Sequence, residues 1–367
     1  MGKALYEESI RDNGVVQVCS MYDKQRDAFN NLYFPAENFR GYGINKFRFI
    51  KDMVRAGSGV NTVILSHINL ILIGWMIKKL SPSTRLILLA HGIEIWYPLS
   101  RRKRKMLHYC DTILAVSSFT QNKILQVHRV SKGKSAVLNN CLDPYLPLPS
   151  LHKKNEKLLQ KYGFGANDFV LMTLTRLASK ERYKGYDKVI GAIAELKASH
   201  ANIKYLLAGT YDKEEKLFVD TLIKEAGLQS NVVMTGYLQD EELEDHFALS
   251  DAYVMPSRKE GFGLVFIEAM YYGLPVIAGN IDGSSDALLG GQLGQLVNPD
   301  NVGEIALAIE NIITGKKAYS PNRPLLMQHF SYEAYKQKLE ELLPAPVDCP
   351  EPAGVLSLSK DPEPVEG

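Results

Sequence analysis

The sequence predicts an α/β protein with two domains, each built on a doubly wound parallel sheet. Short, almost entirely apolar segments alternate with amphipathic helical segments, which is typical of parallel strands covered on both faces. The alternation stops at a cluster formed by Pro144, Pro147 and Pro149, and it restarts after a polar stretch. The chain has 367 residues, of which 46% are hydrophobic. At about 150 residues for each domain, that is enough for two buried cores.

The first series opens with a helix at Lys3–Ile10 and contains apolar segments of strand length. The predicted strands are Val15–Ser20, Thr62–Ser66, Arg85–Ala90, Thr112–Val116 and Ala136–Leu138, with helices at Ile68–Leu80 and Phe119–Val127. Residues 1–150 therefore form the first predicted domain, although the strand and turn expected before its first helix are not seen.

The second series has the same alternation and predicts a second domain over residues 151–322. Its predicted strands are Phe169–Leu174, Lys204–Ala208, Val232–Thr235, Ala252–Met255, Val276–Ala278 and Gln295–Val297. Its predicted helices are Lys188–Lys197, Glu214–Ala226, Glu241–Ala248 and Phe266–Tyr272. Further helices are predicted over 323–343, and the proline-rich residues 344–367 are predicted to be disordered.

Composition excludes several classes of protein. The longest apolar run, Ile68–Ile77, is too short to cross a bilayer, and no charged-then-apolar leader opens the chain. The four cysteines have no CxxC spacing, which argues against structural zinc and a disulfide framework and fits a reducing cytoplasm. Residues 1–150 carry 21 Lys and Arg against 10 Asp and Glu, whereas the rest of the chain has an acidic excess. Two units with different partners are therefore expected.

Three common nucleotide fingerprints are missing from the sequence. It has no GxxxxGK[ST] loop, no GxGxxG between a strand and a helix, and no DxD pair to hold a metal–diphosphate. These absences argue against a P-loop enzyme, an ordinary dinucleotide-binding enzyme and a DxD-type metal site.

The stretch from Pro256 to Met270 has the composition of a ligand-binding turn. A predicted strand ends at Met255, a loop with Gly261 and Gly263 follows, and a helix then begins. Backbone N–H groups at a helix start favour a phosphate, and glycines let a ligand approach the backbone. Glu260 and Glu268 flank the turn, and a carboxylate can accept hydrogen bonds from both hydroxyls of a sugar diol. The alternative is that one glutamate caps the helix and the other lies on its solvated face.

The block from Asp251 to Ala278 resembles the donor-site signature of the family 4 retaining glycosyltransferases, which have the GT-B fold. Further matches occur in chain order. They are His91-Gly92-Ile93-Glu94, Ala115-Val116-Ser117-Ser118, Thr175-Arg176-Leu177, Glu181-Arg182-Tyr183-Lys184-Gly185-Tyr186-Asp187, Leu207-Ala208-Gly209 and Thr235-Gly236-Tyr237. The resemblance implies two facing Rossmann-like domains and a final helix that returns to the first domain.

The same resemblance implies a site for a nucleotide-sugar donor, with no metal and no cofactor. Glu268 would bind the ribose, Glu260 and His91 the transferred sugar, and Arg176 and Lys184 the leaving diphosphate. The nucleotide would also contact the strand-end glycines Gly209 and Gly236 and the turn residues Gly261, Phe262, Gly263, Leu264 and Val265. Cations suit this chemistry because departure of the diphosphate builds negative charge.

Two departures from the family pattern leave alternatives open. The usual Gly-Gly pair reads Asp282-Gly283, and the first strand with its glycine-rich loop is missing, as in an N-terminally truncated chain. The expected function is retaining transfer of a sugar, as by a hexosyltransferase in polysaccharide biosynthesis, to a glycan or lipid-linked acceptor. The alternatives are a catalytically crippled nucleotide-sugar-binding protein and another GT-B enzyme such as a sugar-nucleotide epimerase.

A basic run marks the first predicted domain. Five consecutive cations, Arg101, Arg102, Lys103, Arg104 and Lys105, suit an anionic membrane surface or a diphosphate-lipid acceptor. A solvated helix face is the alternative. Nucleic acid is not expected, because no aromatic residues are interleaved with the run and no recognition motif accompanies it.

Overall fold

The structure is a computed structural model. It describes residues 2–10, 15–28, 32–149, 154–316, 321–343 and 354–359. The described residues divide into two compact units: those up to 140, together with 332–343 and 354–359, form unit 1, and those within 141–331 form unit 2. The division comes before the residue 150 proposed from sequence, because the Leu142 amide donates to the Phe330 carbonyl oxygen within unit 2 at 2.9 Å.

Unit 1 is an α/β layer structure whose described strands form one parallel sheet. The strands are β1 Val15–Ser20, β2 Phe39–Gly41, β3 Thr62–Leu65, β4 Arg85–Ala90, β5 Thr112–Ala115, β6 Ser135–Val137 and β13 Gly354–Ser359. The helices are α1 Gly2–Ile10, α2 Lys46–Gly57, α3 Ile71–Leu80, α4 Ile93–Trp96, α5 Arg101–Leu107, α6 Ser118–His128 and α15 Tyr332–Leu342. The strand order is β2-β1-β13-β3-β4-β5-β6.

Strand β13 corrects one expectation from the sequence. The sequence predicts disorder over residues 344–367, but residues 354–359 pair in parallel with β1 on one side and β3 on the other. The prolines that flank this segment suggested disorder, yet Val355-Leu356-Ser357-Leu358-Ser359 contains the period-two alternation of a strand. The sheet therefore has a strand between β1 and β3 that comes from the C-terminal part of the chain. The other tail residues lie outside the described part.

Helix α15 belongs to unit 1, while the helix before it, α14 Arg323–Phe330, belongs to unit 2. The Glu7 carboxylate on α1 accepts a hydrogen bond from the Tyr332 hydroxyl at 2.9 Å. It also forms an ion pair with Lys336 at 3.0 Å. Leu339 of α15 is fully buried. These contacts attach the last described helix to the first one.

Unit 2 is a second parallel α/β structure, with the strand order β12-β11-β10-β7-β8-β9. Its strands are β7 Phe169–Leu174, β8 Ile203–Ala208, β9 Val232–Gly236, β10 Ala252–Met255, β11 Val276–Gly279 and β12 Gln295–Val297. Its helices, besides α14, are α7 Glu156–Tyr162, α8 Tyr186–Leu196, α9 Lys213–Glu225, α10 Asp240–Leu249, α11 Leu264–Tyr271, α12 Ser284–Ala287 and α13 Val302–Ile313.

Apolar strands explain the layers of unit 2. All residues of β10 and β11 are buried, as expected for central strands that have helices on both faces. Because the strands are parallel, the loops after β7, β8, β9, β10 and β11 all leave the same edge of the sheet. None of the helices in the described ranges has the length and hydropathy needed to cross a membrane.

Candidate functional site

The carboxyl edge of the unit 2 sheet gathers most of the residues singled out from the sequence. Arg176 follows β7, Gly209 follows β8, Gly236 ends β9, and the loop with Glu260 follows β10. Adjacent strand ends are the usual ligand position in such sheets. The sequence alone places these residues only on separate loops.

Lys184 and Glu260 meet at this edge. The Lys184 ammonium lies 2.6 Å from the Glu260 carboxylate, and their side chains are only 16% and 17% exposed. The two loops are packed together, since the Arg258 amide donates to the Tyr183 carbonyl oxygen at 2.9 Å. A cation and a carboxylate thus lie side by side, where one can bind a phosphate and the other a sugar hydroxyl.

Arg176 also has a carboxylate partner, because its guanidinium bonds to Glu181. The side chain of Arg176 is 46% exposed and that of Glu181 is 15% exposed. A guanidinium has five N–H donors, so one edge can be held by Glu181 while others remain available to an anion. The two cations assigned to the diphosphate are therefore each fixed by an acid.

The Glu260 loop is held by Asp282, a residue that the sequence pattern marks only as a departure from a Gly-Gly pair. Asp282 is 2% exposed and accepts hydrogen bonds from the amides of Glu260 at 2.6 Å and Ser284 at 2.9 Å. Burial raises the pKa of Asp282 to about 6 despite these bonds. The amide of Gly283 donates to the Glu260 carbonyl oxygen at 2.8 Å. The signal available for this support was the Asp-Gly pair in the loop after β11.

Helix α11 begins after Gly263, whose φ of 87° is a left-handed conformation that favours glycine. The first N–H groups of the helix, those of Leu264 and Val265, have no partner inside the helix. The Phe262 side chain is 1% exposed and packs edge-on against Phe330 at 5.5 Å between ring centroids. Only the backbone of Phe262 is thus placed to serve a ligand, whereas Leu264 is exposed.

Glu268 lies one turn further along α11 and is partly buried. Burial, and to a smaller extent the charges of Asp143 and Asp240, raises its pKa to about 7. A carboxyl group with this pKa is readily protonated near neutrality and becomes a better acceptor when it ionises.

The two glycines at the strand ends, Gly209 and Gly236, suit their positions for different structural reasons. A Cβ on Gly209 would overlap the carbonyl oxygen of Thr175, so this glycine allows two loops to pack closely. Gly236 has a φ of 74° and open space where a Cβ would point. Of the two, only Gly236 has a backbone that a ligand can approach from that side.

His91 belongs to unit 1, at the carboxyl end of β4. Its ring Nε2 donates to the Ser66 carbonyl oxygen at 2.7 Å, which fixes the ring and its tautomer. The Glu94 carboxylate accepts from the amides of His91 at 2.6 Å and Gly92 at 3.1 Å. Glu94 therefore shapes the loop that carries His91. Within the described part of the chain, no group of three or more His, Cys, Asp or Glu is arranged to hold a metal ion.

The chain is similar to glycosyltransferases of known sequence. The family described as Glycosyl transferases group 1 matches residues 154–337. A GDP-mannose-dependent alpha-(1-6)-phosphatidylinositol monomannoside mannosyltransferase of Mycolicibacterium smegmatis is 26% identical over 71% of this chain and 70% of its own length. The capsular polysaccharide biosynthesis glycosyltransferase CapM of Staphylococcus aureus is 27% identical over 57% of this chain and 54% of its own.

Among solved structures, Anabaena Alr3699/HepE in complex with UDP is similar, with a TM-score of 0.76 and 19% identity. The alignment covers 93% of this chain and 96% of that one. At this identity the likeness concerns the fold. The fold class predicted from the sequence, GT-B with parallel sheets in two α/β domains, is confirmed.

Proposed function

Because the chain belongs to the glycosyl transferases group 1 family, we propose that it is a retaining glycosyltransferase that uses a nucleotide-sugar donor. The contact between Lys184 and Glu260 carries this proposal, since it places a phosphate-binding cation beside a hydroxyl-binding carboxylate at the edge of the unit 2 sheet. Arg176 on the neighbouring loop supplies a second cation.

The proposed reaction breaks the bond between the sugar C1 and the diphosphate oxygen while the acceptor hydroxyl attacks from the same face. The electron pair of the broken bond goes to the diphosphate, and Arg176 and Lys184 neutralise its growing charge without a metal. The hydroxyl proton passes to the departing phosphate oxygen. Glu260 orients the sugar, and Glu268 binds the ribose.

The printed names of the relatives suggest the class of donor and acceptor. The mycobacterial relative is a mannosyltransferase that depends on GDP-mannose and acts on a phosphatidylinositol mannoside, and the staphylococcal one serves capsular polysaccharide biosynthesis. We infer a hexosyl donor and a glycan or lipid-linked acceptor on the cytoplasmic side of the membrane.

A panel of radiolabelled nucleotide sugars, incubated with the chain and candidate acceptors, tests this function. We expect release of nucleoside diphosphate from one donor, unaffected by EDTA, and transfer that keeps the anomeric configuration. Arg176→Ala should slow sugar departure, and Glu268→Ala should weaken binding of the nucleoside diphosphate by about 1.5–3 kcal/mol, as for one lost charge-assisted contact. An inverted product, or unchanged affinity in a folded Glu268→Ala protein, would contradict the corresponding assignment.

The basic helix α5 supports the further proposal of contact with an anionic membrane. Residues 53–142 hold thirteen Lys and Arg but only two acids, Glu94 and Asp111. Glu94 is engaged by two backbone amides, and Asp111 pairs with Lys78 at 2.8 Å. On α5, Arg101, Arg102, Arg104 and Lys105 are exposed, so their charges are available to an anionic surface.

Sedimentation with vesicles tests the membrane proposal. We expect binding to vesicles that contain phosphatidylglycerol, weak binding to pure phosphatidylcholine, and a loss of binding as salt rises. The variant Arg101→Gln/Arg102→Gln should bind less, while Lys213→Gln/Lys224→Gln, which removes two exposed cations from unit 2, should bind normally. Equal binding by both variants would refute the assignment to α5.

A further inference from the structure

A second buried carboxylate in unit 2, that of Glu215, has no role in the function proposed above. Glu215 lies in the first turn of α9, and its side chain is 0% exposed. It accepts a bond from the Arg182 Nε at 2.8 Å and from the Tyr186 hydroxyl at 2.5 Å. A buried carboxylate is tolerated only when it is paired in this way.

Arg182 is held in its contact with Glu215. Its guanidinium lies over the ring of Phe218, 3.9 Å from the centroid, and the bond to Glu215 raises the pKa of Arg182. Although Arg182 stands two residues from Lys184, it is directed to α9, whereas Lys184 contacts Glu260. The two cations of one short segment therefore have separate tasks.

This segment, residues 179–184, is also attached to the start of α9 at its Ser179 end. The Asp212 carboxylate accepts from the Ser179 amide at 2.9 Å and from the Glu215 amide at 2.7 Å. The segment is thus fixed at Ser179 by Asp212 and at Arg182 by Glu215. Lys184 lies in this segment, two residues after Arg182, and is therefore close to a fixed point.

We propose that Glu215 is a positioning residue for Lys184. By holding Arg182, it fixes the segment that presents the Lys184 ammonium to the diphosphate of a bound donor. This inference rests on the proposed function, because it requires that Lys184 contacts the diphosphate. Glu215 itself is fully buried and acts through Arg182.

The test is a double-mutant cycle on the affinity for UDP and GDP, measured by calorimetry with the full chain. Glu215→Gln keeps an oxygen that can accept from Tyr186 but loses the charge that binds Arg182. We expect it to weaken binding of the preferred nucleoside diphosphate by about fivefold to tenfold, which is less than the loss of a direct charge-assisted contact because Lys184 itself remains. In a Lys184→Ala background, the same substitution should have no further effect.

Glu214→Gln is the matched control. Glu214 lies in the same turn, is 74% exposed, and its carboxylate is 3.7 Å from the Arg182 guanidinium. Its substitution should change affinity less than about twofold, as expected for an exposed pair. If Glu215→Gln does not fold, Arg182→Lys tests the same link, because it keeps the charge and removes Nε.

The outcomes separate the two proposals. Non-additive losses with Lys184→Ala support the positioning role, which a purely structural role of Glu215 would not produce. Additive losses, or unchanged affinity in the folded Glu215→Gln protein, would overturn this inference alone. If the wild-type chain binds neither nucleotide, the proposed function fails, and this inference fails with it.

Discussion

Replacing Glu268 by glutamine should stabilise the free protein while it weakens nucleotide binding. Burial raises the pKa of this carboxyl group to about 7 in the folded chain, from an ordinary value of 4.5. Folding therefore favours the protonated form. The stability that this group contributes is full below about pH 4.5 and is lost as the pH rises through about 7. Glutamine has no proton to lose, so the loss is absent in the variant.

The pKa shift sets the size of the effect. A displacement from 4.5 to about 7 corresponds to about 3 kcal/mol of unfolding free energy once the group is fully ionised. At pH 8, Glu268→Gln should therefore exceed the wild type by about 3 kcal/mol, and at pH 5 by only about 1 kcal/mol.

Urea denaturation at pH 5, 7 and 8, followed by fluorescence, measures these differences. Glu195→Gln, on the exposed face of α8, is the control and should behave like the wild type at each pH. The argument from burial would be refuted if the difference in unfolding free energy between Glu268→Gln and wild type did not change with pH. It would also be refuted if the variant were less stable than wild type at pH 8.

Three further predictions concern the scaffold. Gly209→Ala should cost about 2–4 kcal/mol in urea denaturation, since its φ of 130° and a neighbouring carbonyl oxygen exclude a Cβ, whereas Gly133→Ala should be neutral. Removing residues 344–367 should lower hydrogen-exchange protection in β1 and β3 but not in unit 2, because β13 pairs with both strands; unchanged protection would contradict that pairing. Burial lowers the pKa of His128, so stability should fall as the pH drops below 6.5, and His128→Gln should flatten this dependence in acid denaturation curves.

The sequence by itself determined the α/β class and most of the strands. Segments such as Ala252–Met255 and Val276–Gly279 are apolar throughout, and only strands buried on both faces require that pattern. It also localised the turn between Glu260 and Glu268, because glycines and acids at a strand-to-helix junction are unusual enough to be recognised locally.

Only the tertiary structure decided which of these residues meet. Lys184 and Glu260 lie 76 positions apart in the chain, and no local pattern encodes their contact. The supports of the site were missed for the same reason: Asp282 and Glu215 act through partners on other loops. The flanking prolines indicate disorder at 354–359, and only the pairing of this segment with β1 and β3, hundreds of residues away in sequence, makes it a strand. Periodicity is a local property that a chain displays directly, whereas contacts between distant loops exist only once the parallel sheet has brought the strand ends to one edge.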